Sequence, residues 1–351
     1  MKRNSNHIFY FDYLRLFAII GVILIHVVIP TLYKLKSDPF EWWVGVSFQS
    51  MFLWAVPIFF MISGSLLLNK EESLSVIYTK RLPKIILPFI FWTVVYIFFD
   101  VTHSNHTWQE LSIKAISEPI IYHLWFIYTL IGLYVVTPLI RVLTKNLSRN
   151  YLEYLIILSF IVSSIFPLIF KIFKISIGIP VPFAEGYILY FLLGYYLVTY
   201  PQKELYKLFF YLLGLTSFLI IIFGTYFLTV SAGKYDNFFH KPLSFPVVFS
   251  SIFLFLFFKE RINFNYQRLH KITNRIDISR VCFGIYFSHV AIMGVLASGK
   301  FGIKISIDSF NPLISIPLTT FFIFCICFIF FIILELLKKV PMIRLVSKLL
   351  Y

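Results

Sequence analysis

The first apolar segment of the chain, FYFDYLRLFAIIGVILIHVVI, carries Asp12, Arg15 and His26 within a stretch long enough to cross a bilayer. An ionisable side chain in the hydrocarbon core costs roughly 3 kcal/mol or more unless paired or hydrated, so such residues raise a functional hypothesis by default. Arg15 and His26 are eleven positions apart, close to three helical turns, and so project from nearly the same face. Their separation along the axis is roughly 16 Å. Asp12 precedes Arg15 by three positions, the spacing at which a carboxylate meets a guanidinium on one helix. The segment thus offers a polar stripe with a fixed cation at one end and a titratable imidazole at the other. Such a stripe either orients neighbouring helices as a satisfied cluster or lines a reaction or transport path. The stripe reads as the lining of such a path.

Other chemistry-bearing residues fall at the ends of apolar runs. In VPIFFMISGSLLLNK, Ser63 and Gly64 interrupt a helix, either to let a neighbour approach or to bring a hydroxyl to a site. The segment YTKRLPKIILPF crowds Lys80, Arg81 and Lys84, suited to membrane anchoring or to phosphate binding by planar and point charges. His103 and His106 form an H-x-x-H without carboxylate support, a weak metal signal, and no metal is expected. HLWFIYTLIGLYVV places His123 and Trp125 at an external interface, where aromatic faces serve a lipid belt or stack on a sugar. Glu185 and Gly186 open a later span from outside. His289, in SRVCFGIYFSHV, is a second imidazole deep in an apolar run. Cys282, Cys325 and Cys327 lack metal-ligand spacing and read as packing residues.

These residues need membrane helices to position them. Hydrophobic residues make up 59% of the 351 and charged residues 13%, about half the charge fraction of soluble domains. The apolar runs are long and lack the alternation of a barrel strand, so the fold expected is an all-α polytopic bundle. Ten spans are predicted near 8–29, 44–68, 84–102, 121–142, 151–170, 183–200, 207–229, 243–258, 280–298 and 312–336, as a single domain over 1–351. Lys2 and Arg3 precede a first segment too long and too charged for a cleaved signal, which reads as a retained anchor. With both termini in the cytoplasm, internal segments carry 21 Lys and Arg and external loops 9. The net charge of +15 is therefore an orientation signal and not a nucleic-acid footprint.

In order along nearly the whole chain, these segments resemble the acyltransferase-3 family of integral membrane acyltransferases. The likeness is carried by the Arg15/His26 pair, PIFFMISG, KRLPKIILP, HLWFIYTL, LYFLLGYYL and FGIYFSHV. Relatives often carry two arginines three apart in the second basic segment; Arg81 matches the first and Lys84 replaces the second. No fused hydrolase-like domain is expected, which likens the chain to the stand-alone branch that modifies envelope polysaccharides.

The resemblance implies transfer of an acyl group, usually acetyl, from cytoplasmic acyl-CoA to a hydroxyl of an extracytoplasmic glycan or lipid-linked sugar. Its setting would be the plasma membrane, in a bacterium, with acetyl-CoA as a substrate and no resident cofactor. Lys80, Arg81 and Lys84, with Arg275 or Arg280, would form an anion-binding mouth. Arg15 would hold the donor or polarise its carbonyl. His26 would deprotonate the acceptor, an imidazole with a pKa near about 6.5 being suited to that work. Ser63, His123, Trp125 and His289 are the substrate-facing candidates. A glycan exporter or flippase is the main rival, but no internal repeat or matched broken helix supports it. A proton-coupled transporter using Asp12 and His26 leaves the basic mouth unexplained.

Overall fold

The computed structural model describes residues 9–104, 106–175, 186–262, 276–299, 302 and 304–351. Glu185 and Arg275 lie outside them. Among the described residues, nine helical stretches are long and apolar enough to span a bilayer, and no strand is present. The predicted all-α polytopic bundle is therefore the fold. In chain order the helices are α1 (Tyr10–Val27), α2 (Pro39–Ser50), α3 (Ala55–Leu68), α4 (Pro83–His103), α5 (Trp108–Ser117), α6 (Trp125–Asn146), α7 (Arg149–Phe160) and α8 (Phe166–Phe173). Then follow α9 (Ile188–Thr199), α10 (Glu204–Ala232), α11 (Phe245–Arg261), α12 (Ile278–Ser298), α13 (Pro312–Leu337) and α14 (Pro341–Leu350). The span expected at 183–200 is represented by α9, a shorter apolar helix.

Two departures from the expected spans have local causes. The span expected at 44–68 begins earlier, at Pro39, and divides between α2 and α3. Pro57 lacks an N–H and its ring would clash with the carbonyl of Leu53 in a continuous helix, so the chain loosens over 51–54. The Trp54 indole donates to the Met51 carbonyl (2.6 Å) and ties the break. Before α4, Pro83 imposes a similar constraint, and Ile77–Arg81 runs as a π-helix. That wider turn changes the direction in which Thr79, Lys80 and Arg81 project.

The closest helix packing joins α3 to α9. A Cβ added at Gly64 would lie 1.9 Å from the Phe191 carbonyl oxygen, and one at Gly194 would lie 1.9 Å from that of Met61. Each glycine thus admits the other helix's backbone. This close approach seats α3 firmly, and α3 carries Ser63.

Charged contacts sort the helix ends into two sets. At one end Arg141 reaches the Leu67 carbonyl and Glu72, Lys145 pairs with Glu71, and Lys207 pairs with Glu260. These are segments expected on the cytoplasmic side. At the other, Lys34 bridges Glu41 and Asp308, and Lys171 pairs with Asp236. The core between them is aromatic and aliphatic, with Trp42, Trp54, Tyr190 and Phe255 almost fully enclosed.

Candidate active site: a basic cavity beneath a histidine cluster

Helices α1, α3, α4, α6, α12 and the last turns of the chain enclose a cavity of about 690 Å³. Its walls hold seven basic side chains: Arg15, Lys70, Lys80, Arg81, Lys84, Arg280 and Lys348. Among the described residues, one acidic side chain, Asp277, lines it. Deeper, the lining becomes apolar through Phe59, Ile62, Leu66, Phe126, Leu130 and Phe283. A polyanion with an extended, less polar arm matches this gradient: ammonium and guanidinium groups at the mouth, hydrocarbon within.

Each cation has a definable support. Arg15 donates to Asp12 Oδ1 (3.0 Å), the contact expected from their spacing, and both side chains are about nine-tenths enclosed. Arg81 engages both oxygens of Glu72, whose second partner is Arg141 (3.2 Å). Burial pushes the Glu72 carboxyl up, but its bonds to Arg81 and Arg141 carry it below the usual range. The Arg81 fork is thus committed to Glu72, while Lys80 and Lys84 are exposed at the mouth. Lys70 is half-buried; burial and then the Arg81 charge hold its ammonium below an ordinary lysine. Buried Glu335 accepts from the Asp277 backbone N–H (3.2 Å), and Lys338 pairs with it (2.5 Å). This fixes the start of α12, from which Arg280 enters the cavity.

Tyr286, on α12, lines the cavity. Beyond its ring lie three histidines from distant parts of the chain. His26 and His289 stack with centroids 5.3 Å apart. His123 lies 5.0 Å from His289 and 6.1 Å from His26. Tyr122 and Tyr96 complete the surround, 4.9 Å from His26 and 5.6 Å from His123. Tyr286 donates its hydroxyl to the His123 carbonyl, and Tyr96 donates to that of Phe287 (2.6 Å). The backbone beneath the cluster is thereby pinned.

The hydrogen bonds assign one tautomer. His289 Nδ1 lies 2.7 Å from the Tyr286 carbonyl and 3.1 Å from that of Ile285, so it carries the proton and donates. Nε2 of His289 is left as an acceptor, enclosed and without a protein partner of good geometry, and Nδ1 of His26 is likewise enclosed and unpartnered. His123, whose neutral ring presents one donor and one acceptor nitrogen, is enclosed as well, with the Phe287 backbone in reach. Unpartnered polar atoms in so enclosed a cluster form a ready acceptor for a hydroxyl group.

The sequence-predicted residues thus separate into groups. Arg15, Ser63, Lys80, Arg81 and Lys84 all line the cavity. His26, His123 and His289 gather beyond it. His123, placed at the external interface by its sequence context, is 1% exposed and lies inside the bundle. Trp125 packs its ring 5.2 Å from Tyr187 and is not part of the cavity wall. His106 pairs with Asp100 (2.7 Å) and His103 meets the Phe99 carbonyl (2.9 Å); no metal-holding group occurs among the described residues. Lys70 and Lys348 were not singled out from sequence, because membership of one wall depends on tertiary packing. Both sit in basic segments beside the membrane, which was the available signal.

The family model for the acyltransferase domain of acyltransferase-3 type matches residues 8–332. The chain belongs to the acyltransferase-3 family. The matched region contains α1, α3, α4, α6 and α12 and all three clustered histidines, while Lys348 lies beyond it. Among curated proteins and among solved structures, none matches. Membership makes the chain a membrane acyltransferase, and the basic cavity and histidine cluster are its candidate donor and acceptor regions.

Proposed function

We propose that this acyltransferase moves an acyl group, most simply acetyl, from cytoplasmic acyl-CoA to a hydroxyl of an extracytoplasmic envelope glycan or lipid-linked sugar. The carrying observation is the basic cavity, whose wall includes Tyr286 beside the histidine cluster. Lys70, Lys80, Lys84, Arg280 and Lys348 would hold the phosphates. Arg15 lies about 16 Å below His26 along one continuous helix, too far to polarise the carbonyl that His26 serves. Its role is therefore to hold the donor. A pantetheine arm has the contour of about four extended residues, roughly 15 Å, and so bridges that gap. Ser63 faces this arm.

The thioester then lies at Tyr286, whose ring borders His123 and His289. His26 takes the proton of the acceptor hydroxyl as its oxygen attacks the carbonyl carbon. A C–O bond forms, the C–S bond breaks, and the departing thiolate takes the proton from the imidazolium. His289 Nε2 and His123 receive the acceptor's hydroxyl groups. The site resides in the plasma membrane of a bacterium, with the basic cavity inward.

Binding of acetyl-CoA to the purified protein tests this reading. Saturable binding that weakens with salt, followed by acetyl transfer to glycan, is the expected result. No binding, together with altered glycan export, favours an exporter and removes the proposal.

A further inference from the structure

A second hollow lies at the opposite end of the bundle from the basic cavity. It measures about 330 Å³, at the small end of ligand pockets, and is lined by Tyr33, Lys171, Tyr235, Asp236, Asn237 and Lys241 around Phe238. Tyr33 follows the C-terminus of α1, and the others come from α8 and the connection between α10 and α11. We propose that this hollow is a saccharide-binding subsite that holds a part of the acceptor glycan remote from the acylated hydroxyl. The identity of the ligand rests on the reading above; the pocket's chemistry stands independently.

Tyr33 and Tyr235 meet edge to face with centroids 5.3 Å apart. Tyr33 is 70% exposed. Interfacial tyrosines that serve as a lipid belt turn their rings to acyl chains. This pair instead faces three charged side chains and an amide, so its rings border a polar hollow. An aromatic face takes the apolar C–H face of a sugar ring, while carboxylate, ammonium and amide groups bind its hydroxyls.

The polar groups are held in place before any ligand arrives. Tyr235 shares a hydrogen bond with Nδ1 of buried His240 (2.6 Å), which sets its ring. Asp236 pairs with Lys171 (2.5 Å), accepts from the Phe238 N–H (3.0 Å), and is anchored through its own N–H to Thr229 (3.2 Å). Such pre-organisation lowers the ordering cost of binding a flexible chain.

The position also suits an extended acceptor. From His26 to Tyr33 the chain passes the end of α1 and one short 3-10 helix, Ile29–Tyr33. The axial rise is about 13 Å, on the scale of a few sugar rings. A glycan seated here would present a neighbouring hydroxyl toward the histidines. The pocket therefore selects for chain length and leaves the acyl donor untouched.

The test is saturation-transfer NMR on the full chain in detergent, without acyl donor, using six-sugar cello- and chito-oligosaccharides as probes. Saturation should reach the sugar ring protons of at least one probe. Tyr33→Ala should weaken that binding about fivefold, the scale of one aromatic contact. Asn237→Ala, also at an exposed position, should weaken it too. Both variants should bind acetyl-CoA as wild type does. Absence of transfer to either sugar, or unchanged transfer in both variants, overturns the subsite. Failure of the wild type to bind acetyl-CoA while sugars still bind would remove the donor assignment and leave the subsite standing.

Discussion

Gly64→Ala probes the contact that seats α3, the helix that brings Ser63 to the cavity wall. The new methyl carbon would stand 1.9 Å from the Phe191 carbonyl oxygen, where ordinary contact begins near 3.4 Å. The shortfall is about 1.5 Å against backbone, which cannot swing aside as a side-chain tip can. Helices α3 and α9 must therefore separate, which also loosens the reciprocal contact of Gly194 with Met61. Overpacking of this kind costs about 1–3 kcal/mol and sometimes more. Because Phe59, Ile62, Ser63 and Leu66 reach the cavity from α3, the same shift should weaken donor binding. Thermal unfolding in detergent measures the first effect and acetyl-CoA titration the second. Gly132→Ala is the control, since nothing lies within 4 Å of its added Cβ. If Gly64→Ala melts and binds like wild type, the account of α3 is wrong.

Four further outcomes follow from the cavity. Replacing Lys80 and Lys84 together with Gln should weaken acetyl-CoA binding and flatten its salt dependence, read by titration at several ionic strengths. Because Arg81 holds Glu72, Arg81→Gln should in addition destabilise the fold, read as a lowered melting temperature. Lys70 is held below an ordinary lysine by burial and Arg81, and a phosphate partner favours its ammonium form. Donor affinity should therefore fall as pH rises through that lowered pKa, with net proton uptake on binding in the same range; calorimetry in two buffers of different ionisation enthalpy checks the sign, and Lys70→Arg should abolish it. Tyr286→Phe removes the donor to the enclosed His123 carbonyl, at a cost of about 1–3 kcal/mol, measured by thermal unfolding.

What was legible in the sequence was mostly local. The i,i+3 spacing of Asp12 and Arg15 became an ion pair, and Ser63, Lys80, Arg81 and Lys84 reached a common cavity. Gly64 marked a close helix approach, as a small residue in an apolar helix suggests. The divided helix at 51–54 was missed because hydropathy averages over the effect of Pro57. Long-range juxtaposition was illegible: nothing local brings His26 beside His289, 263 positions later, or buries His123 between Tyr96 and Tyr286. Aromatic neighbours suggested a membrane surface for His123, but a polar imidazole among aromatics is equally what a buried site contains. The polar hollow at Tyr33 and Tyr235 combines loops that the span pattern treats only as connections.

The most direct test of the central claim is transfer of labelled acetyl from acetyl-CoA to envelope glycan by membranes containing wild type or His26→Ala. Loss of a positioned base lowers the rate by about 10²–10⁴-fold. His26→Ala should show that loss while retaining wild-type acetyl-CoA affinity. Covalent labelling of glycan at the wild-type rate by His26→Ala would contradict the account and pass the proton-transfer role to another group, with His289 Nε2 first in line.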